Sequence, residues 1–447
     1  MADREPLLSP TDSDDERITN HLRGILDHDA YRRRVRQWLT APLLILVLAA
    51  MIVLLFVLGG KDIRDEWMLR GDPLTAANRI LGEWPVIDGH IDLPILYRAA
   101  FANNISAVNL RQPTLGHVDI PRLRQGHVGG FWWSTFVPCP TTINDADFVQ
   151  PSWRVRDTLE QIDVAKLAME QYPDVFEHTM TAEGGRRAIR SGKIAGWIGI
   201  EGAHQIGNSL AVLRQYYDLG VRYMTLTHTC HNAFADSGGF LTPLPPLHYG
   251  LSTFGRELIV EMNRLGMIID LSHTSDQTAI QALTLSRAPV IWSHSSSREV
   301  WNVARNVPNE ILARIGLGEG KRDAVVMINF APYFVAEKGM ATVEIVADHV
   351  EMVANVAGRM HVGIGSDFDG IEATPKGLED VSKYPNLFAE LIRRGWSVTD
   401  LAGLAGGNFL RVLSKVEAVS RAMKHEGTRP SMELYAKRPD LPMHEYL

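Results

Sequence analysis

Residues 86–94 read VIDGHIDLP. A short apolar run gives way to a Gly, then His90, one spacer, Asp92 and a Pro. On an extended segment residues i and i+2 face the same side. An H-x-D pair where a strand stops therefore aims an imidazole and a carboxylate at one point.

Seven further apolar runs follow: GFWWSTFV (130–137), IAGWIGI (194–200), RYMTLT (222–227), MIIDLS (267–272), PVIWS (289–293), AVVMINF (324–330) and HVGIGS (361–366). Amphipathic stretches such as RVRDTLEQIDVAKLAMEQY, FGRELIVEMNRLG and VEIVADHVEMVANVAG lie between them, and a last helical run starts at Val398. Eight buried strands alternating with helices predict an α/β fold, a (β/α)8 TIM barrel. An open doubly wound sheet is the competing architecture. Long insertions after the second strand (TTINDADFVQPSW) and the fourth (FADSGGFLTPLPPLHYG) are placed to wall a substrate site.

Active sites of barrels gather at the carboxyl ends of the strands. Those ends carry His90 and Asp92 (first strand), Glu201 (third), His228 (fourth), His273 (fifth), His294 (sixth) and Asp367 (eighth). Any one of these alone would read as an ordinary hydrogen-bonded residue, as His117, His127, His178, His248 and His349 do. Their repeated placement is the signal. A mixture of imidazole nitrogen and carboxylate oxygen suits Zn²⁺. Three histidines and two acids exceed the needs of one catalytic ion, which suggests two, with Glu201 as the bridge. Arg305, in RNVP, is suited to a bidentate grip on a carboxylate.

The chain has 447 residues, 45% hydrophobic and 22% charged, with net charge −7. That supports a large core and argues against a nucleic-acid partner. Residues 41–60, APLLILVLAAMIVLLFVLGG, are uncharged and long enough for a bilayer span. The arginines of YRRRVRQ precede them, so the positive-inside bias puts the N-terminus in the cytosol. The expectation is a single-pass type II membrane protein with its catalytic part luminal or extracellular. Its parts are a disordered cytosolic tail (1–40), a transmembrane helix (41–60), a linker (61–74), the barrel (75–420) and a C-terminal extension (421–447). DREPLL in the tail has the form of an acidic dileucine signal for endolysosomal or vacuolar membranes, a pattern short enough to arise by chance. Asn104-Ile-Ser106 is a sequon, and the two cysteines, Cys139 and Cys230, suggest one disulfide in an oxidising lumen.

From about residue 75 to 420 the chain resembles the membrane dipeptidases, the renal-type branch of the amidohydrolase superfamily. The stretches that carry the resemblance are VIDGHIDLP, GIEGAHQIG, YMTLTHTCHNAFAD, GMIIDLSHTS, PVIWSHSSSREV, RNVPNEIL and VGIGSDFDG, in that order, followed by LEDVSKYPNLFAELIRRGW. The resemblance implies a zinc-dependent barrel that hydrolyses dipeptides through a water activated between two Zn²⁺ ions. It implies His90 and Asp92 as ligands of one zinc, His273 and His294 as ligands of the other, and Glu201 as their bridge. His228 would contact the substrate or its oxyanion and Arg305 its carboxylate. Asp367, in preference to Asp369, would be the acid–base residue, and Tyr333 would line the pocket. It also implies a Cys139–Cys230 pairing. Two departures stand out: no hydrophobic C-terminal tail signals a lipid anchor, and no third cysteine remains, so a homodimer would be non-covalent. Lactone or β-lactam hydrolysis at the same site, and a non-catalytic membrane receptor, are the alternative readings.

Overall fold

The computed structural model describes residues 63–139 and 153–437, with scattered positions between 17 and 51. The chain divides into a unit ending at Trp67 and a second beginning at Met68. In the first, residues 44–49 and 51 are helical, and most of the expected tail and transmembrane segment lies outside the described residues. Among the described residues no helix is long and apolar enough to cross a membrane. Most of the insertion at 141–153 also lies outside them.

The second unit is a parallel barrel. Its strands are β1 Val86–Ile91, β2 Val128–Thr135, β3 Phe176–His178, β4 Ile194–Glu201, β5 Val221–Thr225, β6 Ile268–Asp270, β7 Val290–Trp292, β8 Ala324–Ile328 and β9 Val362–Ile364. They run in the order β2-β1-β9-β8-β7-β6-β5-β4, and β2 closes the ring by pairing with β4 from Gly130↔Ala195 to Thr135↔Ile200. Eight of the nine strands thus form the barrel expected. β3 was not foreseen. With β2 on one edge of β4, the other edge is shared: β3 pairs with Ile194–Gly196 and β5 takes over from Ile198.

Strands covered on both faces read as unbroken apolar runs, and every residue of β2 and β4 is buried. Trp132 packs 4.5 Å from Tyr223 and 5.8 Å from Trp197. Phe409, on the helix Asn408–His425, meets both indoles at 5.4 and 5.8 Å. The helical run from Val398 is not continuous: a π-helical turn, Gly403–Gly407, interrupts it before that helix. A Cβ on Gly406 would sit 2.7 Å from the Ile87 side chain, so only glycine lets this turn approach β1.

The strand-to-helix loops are tied down by short-range capping. Ser252 accepts the Gly255 amide and Ser275 the Thr278 amide, in the first turns of the helices Thr253–Leu265 and Asp276–Leu285. The buried Asp236 carboxylate accepts the amides of Leu247, His248 and Gly250, which folds the long loop after β5 back on itself. Cys139 and Cys230 are disulfide-bonded, joining the loop after β2 to the loop after β5. Because it closes a loop of 91 residues, chain entropy puts its contribution at about 4–5 kcal/mol. Cys230→Ser should therefore lower the midpoint of denaturant unfolding of the barrel. A midpoint equal to that of the parent protein would contradict this.

Candidate active site

The mouth of the barrel is built from strand ends. Gly89, near the end of β1, lies where a Cβ would come within 2.5 Å of both the Met327 sulfur and the Ser293 carbonyl oxygen. The strand can run this close to β7 and β8 only without a side chain there. His90 follows, fully buried. Asp92 is not extended as the H-x-D alternation assumed. At φ −92° and ψ 29° it opens the helix Leu93–Phe101, held by its amide on the Phe368 carbonyl. The pair still converges, with His90 Nε2 3.3 Å from Asp92 Oδ2.

Glu201, the last residue of β4, stands at the centre. Its Oε1 lies 3.0 Å from His273 Nε2, 3.2 Å from His294 Nε2 and 3.5 Å from His90 Nε2, with His228 Nε2 at 3.9 Å. His273 Nε2 and His294 Nε2 are themselves 3.0 Å apart. Two donor sets result, His90–Asp92–Glu201 and Glu201–His273–His294, each with its ligand atoms within 4.8 Å of one another. They share the Glu201 carboxylate. A third set, His90–His294–Asp367, overlaps both. A further cluster, Cys139, Cys230 and His204, has both its sulfurs in the disulfide.

The electrostatics call for cations. Burial holds His228, His273 and His294 well below the usual imidazole range, with Arg305 and neighbouring histidines adding to the effect. These rings are neutral, the form that binds metal. Burial also works against a charged His90, but Asp92 and Glu201 together outweigh it and hold its pKa well above the ordinary value. Burial pushes the carboxyls of Glu201 and Asp367 upward and the Asp92 charge adds to it, against the pull of His90 and Arg305. Three carboxylates crowded into a dry pocket are costly without positive charge beside them. His90 Nε2 and Asp92 Oδ1 are buried and lack hydrogen-bond partners. Unpartnered donor atoms on converging metal-competent side chains fit a bound metal.

Supporting groups fix the rings. His90 Nδ1 lies 2.8 Å from the Tyr223 hydroxyl. His294 Nδ1 lies 2.8 Å from Ser293 Oγ, which donates to Asp270 Oδ2 at 2.6 Å. Each contact occupies Nδ1 and leaves Nε2 facing the pocket. His273 and Asp367 adopt left-handed backbone conformations, φ 63° and 67°, an uncommon state for residues with side chains and one that re-aims them at the strand ends.

Asp367 accepts a hydrogen bond from Asn329 Nδ2 at 3.0 Å. Asp369 is engaged elsewhere: its Oδ1 accepts the His117 amide and its own amide donates to His117 Nδ1. Arg305 is buried, donating to Ser295 Oγ at 2.7 Å, while its Nε and one terminal nitrogen have no partner. Its guanidinium lies 5.5 Å over the Phe334 ring. Burial pulls its pKa down to about 10, against the pull of Asp367 and Glu201. Tyr333, half-buried beside Phe334, has its phenol pushed up to about 12, by burial first and then by Asp367. His228 lies against the disulfide, its Nδ1 3.1 Å from Thr229 Oγ1 and 3.8 Å from Cys139 Sγ. Asn104 is exposed on the short turn after the first barrel helix. The histidines set aside as ordinary are engaged outside the cluster: His127 with Asn78, His248 with the Asn232 carbonyl, and His349 with Ser297 and Val335. His178 Nε2 is buried without a partner.

Sequence reading did not single out Tyr223, Asp270, Ser293, Ser295 or Asn329. The available signal was position: Asp270, Ser293 and Asn329 sit at or just past the ends of β6, β7 and β8, where an apolar run turns polar.

The sequence pattern of the family described as "Membrane dipeptidase (Peptidase family M19)" matches residues 74–427. An uncharacterized dipeptidase of Schizosaccharomyces pombe is 45% identical over 365 residues, covering 79% of this chain and 86% of its own. Dipeptidase aclJ of Aspergillus oryzae is 44% identical over 351 residues, covering 77% and 81%. Among solved structures, a metallopeptidase of Rhodobacter sphaeroides, liganded with a phosphinate mimic of the dipeptide L-Ala-D-Ala, superposes with TM-score 0.65 at 27% identity, covering 74% of this chain and 99% of its own. The probable dipeptidase PvdM of Pseudomonas aeruginosa has TM-score 0.69 at 22% identity over 78% and 99%, a likeness of fold. With this match across the whole barrel, the chain belongs to the membrane dipeptidase family of metallopeptidases, peptidase family M19.

Proposed function

We propose that this chain is a dinuclear zinc dipeptidase. The observation that carries the reading is Glu201 Oε1, placed 3.0–3.5 Å from the Nε2 atoms of His90, His273 and His294. His90, Asp92 and Glu201 would hold one ion, and Glu201, His273 and His294 the other. When bound, such a pair acts as a Lewis acid on the scissile carbonyl and makes water a stronger nucleophile near neutral pH. The nitrogen and oxygen donors, with both cysteines in the disulfide, favour zinc. The dipeptide mimic held by the Rhodobacter relative supports a dipeptide as substrate.

The chain's own residues supply the rest. Asp367, whose carboxyl is raised by burial, takes the proton of the attacking water and passes it to the leaving amine. Asn329 orients it. His228, neutral and at the rim, offers a hydrogen bond to the oxyanion, where losing one donor costs about 2.7–4 kcal/mol. Arg305 presents two unpartnered nitrogens and grips the substrate carboxylate, which limits the substrate to very short peptides.

We propose further that residues 41–60 anchor the enzyme as a type II membrane protein, on the strength of their length and the preceding arginines. The barrel then faces a lumen or the cell exterior, an endolysosomal or vacuolar membrane being favoured by DREPLL. The disulfide agrees with an oxidising compartment. Any homodimer is non-covalent, since no free cysteine remains.

Arg305→Ala should lower kcat/KM for dipeptides about 10- to 150-fold, mostly through KM, as expected for lost charged hydrogen bonds. Dipeptide amides, which lack the carboxylate, should lose much less. Equal losses on both would remove Arg305 from carboxylate recognition. Asp367→Asn should cut kcat by about 10²- to 10⁴-fold while bound metal stays at the parent level; near-parental turnover would rule out the acid–base role. In eukaryotic cells the full chain should show a glycosidase-sensitive mobility shift that Asn104→Gln abolishes. An unshifted chain whose barrel is open to protease from the cytosolic side would reverse the topology.

A further inference from the structure

Around Tyr333 lies a cavity that the mechanism above does not use. It measures about 790 Å³, the size of a site for a small organic ligand. Its walls include Leu241, Trp301, Val303, Pro332, Tyr333 and Ala336. The exposed Lys338, Lys376 and Glu379 also line it. The walls are tied together: Trp301 Nε1 donates to the Tyr333 carbonyl at 3.1 Å, and the Ala304 amide donates to the Leu241 carbonyl at 3.1 Å.

Three observations connect this cavity to the Arg305 end of the site. Val303, on its wall, is two residues before Arg305. Phe334, beneath the Arg305 guanidinium, directly follows Tyr333. The Tyr333 ring, itself on the cavity wall, packs edge-on 4.6 Å from that Phe334 ring. A carboxylate on Arg305 belongs to the C-terminal residue of a dipeptide, and that residue's side chain is then the part of the substrate nearest the cavity. On the opposite side, His228 is backed by the Phe136 ring and the disulfide.

We infer that this cavity receives the side chain of the substrate's C-terminal residue and selects large apolar groups there. The inference rests on the dipeptidase reading and adds the substrate class to it. A methyl side chain would leave the cavity walls wet, whereas an indole or phenyl ring would desolvate them. Since a single methylene in an apolar pocket is worth roughly 10- to 200-fold in discrimination, an aromatic group should gain at least about tenfold over a methyl.

The test compares kcat/KM for Ala-Trp, Trp-Ala and Ala-Ala, using the full chain and two variants at exposed wall positions. Ala373→Trp narrows the cavity, and Leu241→Ala removes part of one wall. The parent enzyme is expected to favour Ala-Trp over Ala-Ala by at least about tenfold and to show no such preference for Trp-Ala. Both variants are expected to shrink the Ala-Trp to Ala-Ala ratio, Ala373→Trp the more strongly. A parent preference for Trp-Ala, or a ratio that neither variant changes, would overturn the cavity's role and leave the dipeptidase reading intact. Failure to cleave any of the three peptides would overturn both.

Discussion

One carboxylate oxygen organises the mouth of this barrel. Glu201 ends β4 inside a ring of imidazoles contributed by β1 and by the loops after β5, β6 and β7. Burial raises the pKa of that carboxyl and holds the His273 and His294 rings well below the usual imidazole range. An arrangement so costly to assemble from a desolvated acid and inward-facing ring nitrogens has a physical rationale if positive ions bind between them. The conformations of the neighbours serve that convergence. Gly89 lets β1 pass close to β7 and β8, and the left-handed turns at His273 and Asp367 redirect two side chains that a regular strand would send elsewhere.

Behind these groups lies a layer that keeps them aimed. Asp270 accepts from the hydroxyls of Thr225 and Ser293 and from the amides of Ser272 and Ser293, which locks the ends of β5, β6 and β7 to one another. Asp88 performs the same service between β1 and β9, accepting the His90 and Ser366 amides and the Tyr384 hydroxyl. The disulfide joins the two loops that flank His228. The rigid scaffold and the reactive surface are therefore the same hydrogen-bond network seen from two sides.

The barrel was legible because parallel strands buried on both faces leave apolar runs of strand length, as in IAGWIGI and AVVMINF. β3 was not, because FEH is three residues long and mostly polar, and its pairing partner is only the first part of β4. The convergence of His90 and Asp92 was expected from strand alternation, yet Asp92 arrives there as the first residue of a helical turn. The ring of strand-end residues could be listed from sequence because barrel geometry sends all of them to one face. Their supports could not: Ser293 and Asn329 are ordinary residue types, and what distinguishes them is contact with Asp270 and Asp367, 23 and 38 residues away. The Cys139–Cys230 bond was expected from family resemblance and from the cysteine count, and it is present. The membrane segment lies mostly outside the described residues and stays a reading of composition.

The most direct test of the shared carboxylate is metal stoichiometry in the purified barrel-containing protein and in its Glu201→Gln variant, measured by elemental analysis with dipeptide hydrolysis followed in parallel. Two zinc ions per chain in the parent, falling to one or none together with activity in the variant, is the result this account predicts. A parent that hydrolyses dipeptides with a single ion, or a variant that keeps both ions and full activity, would contradict it.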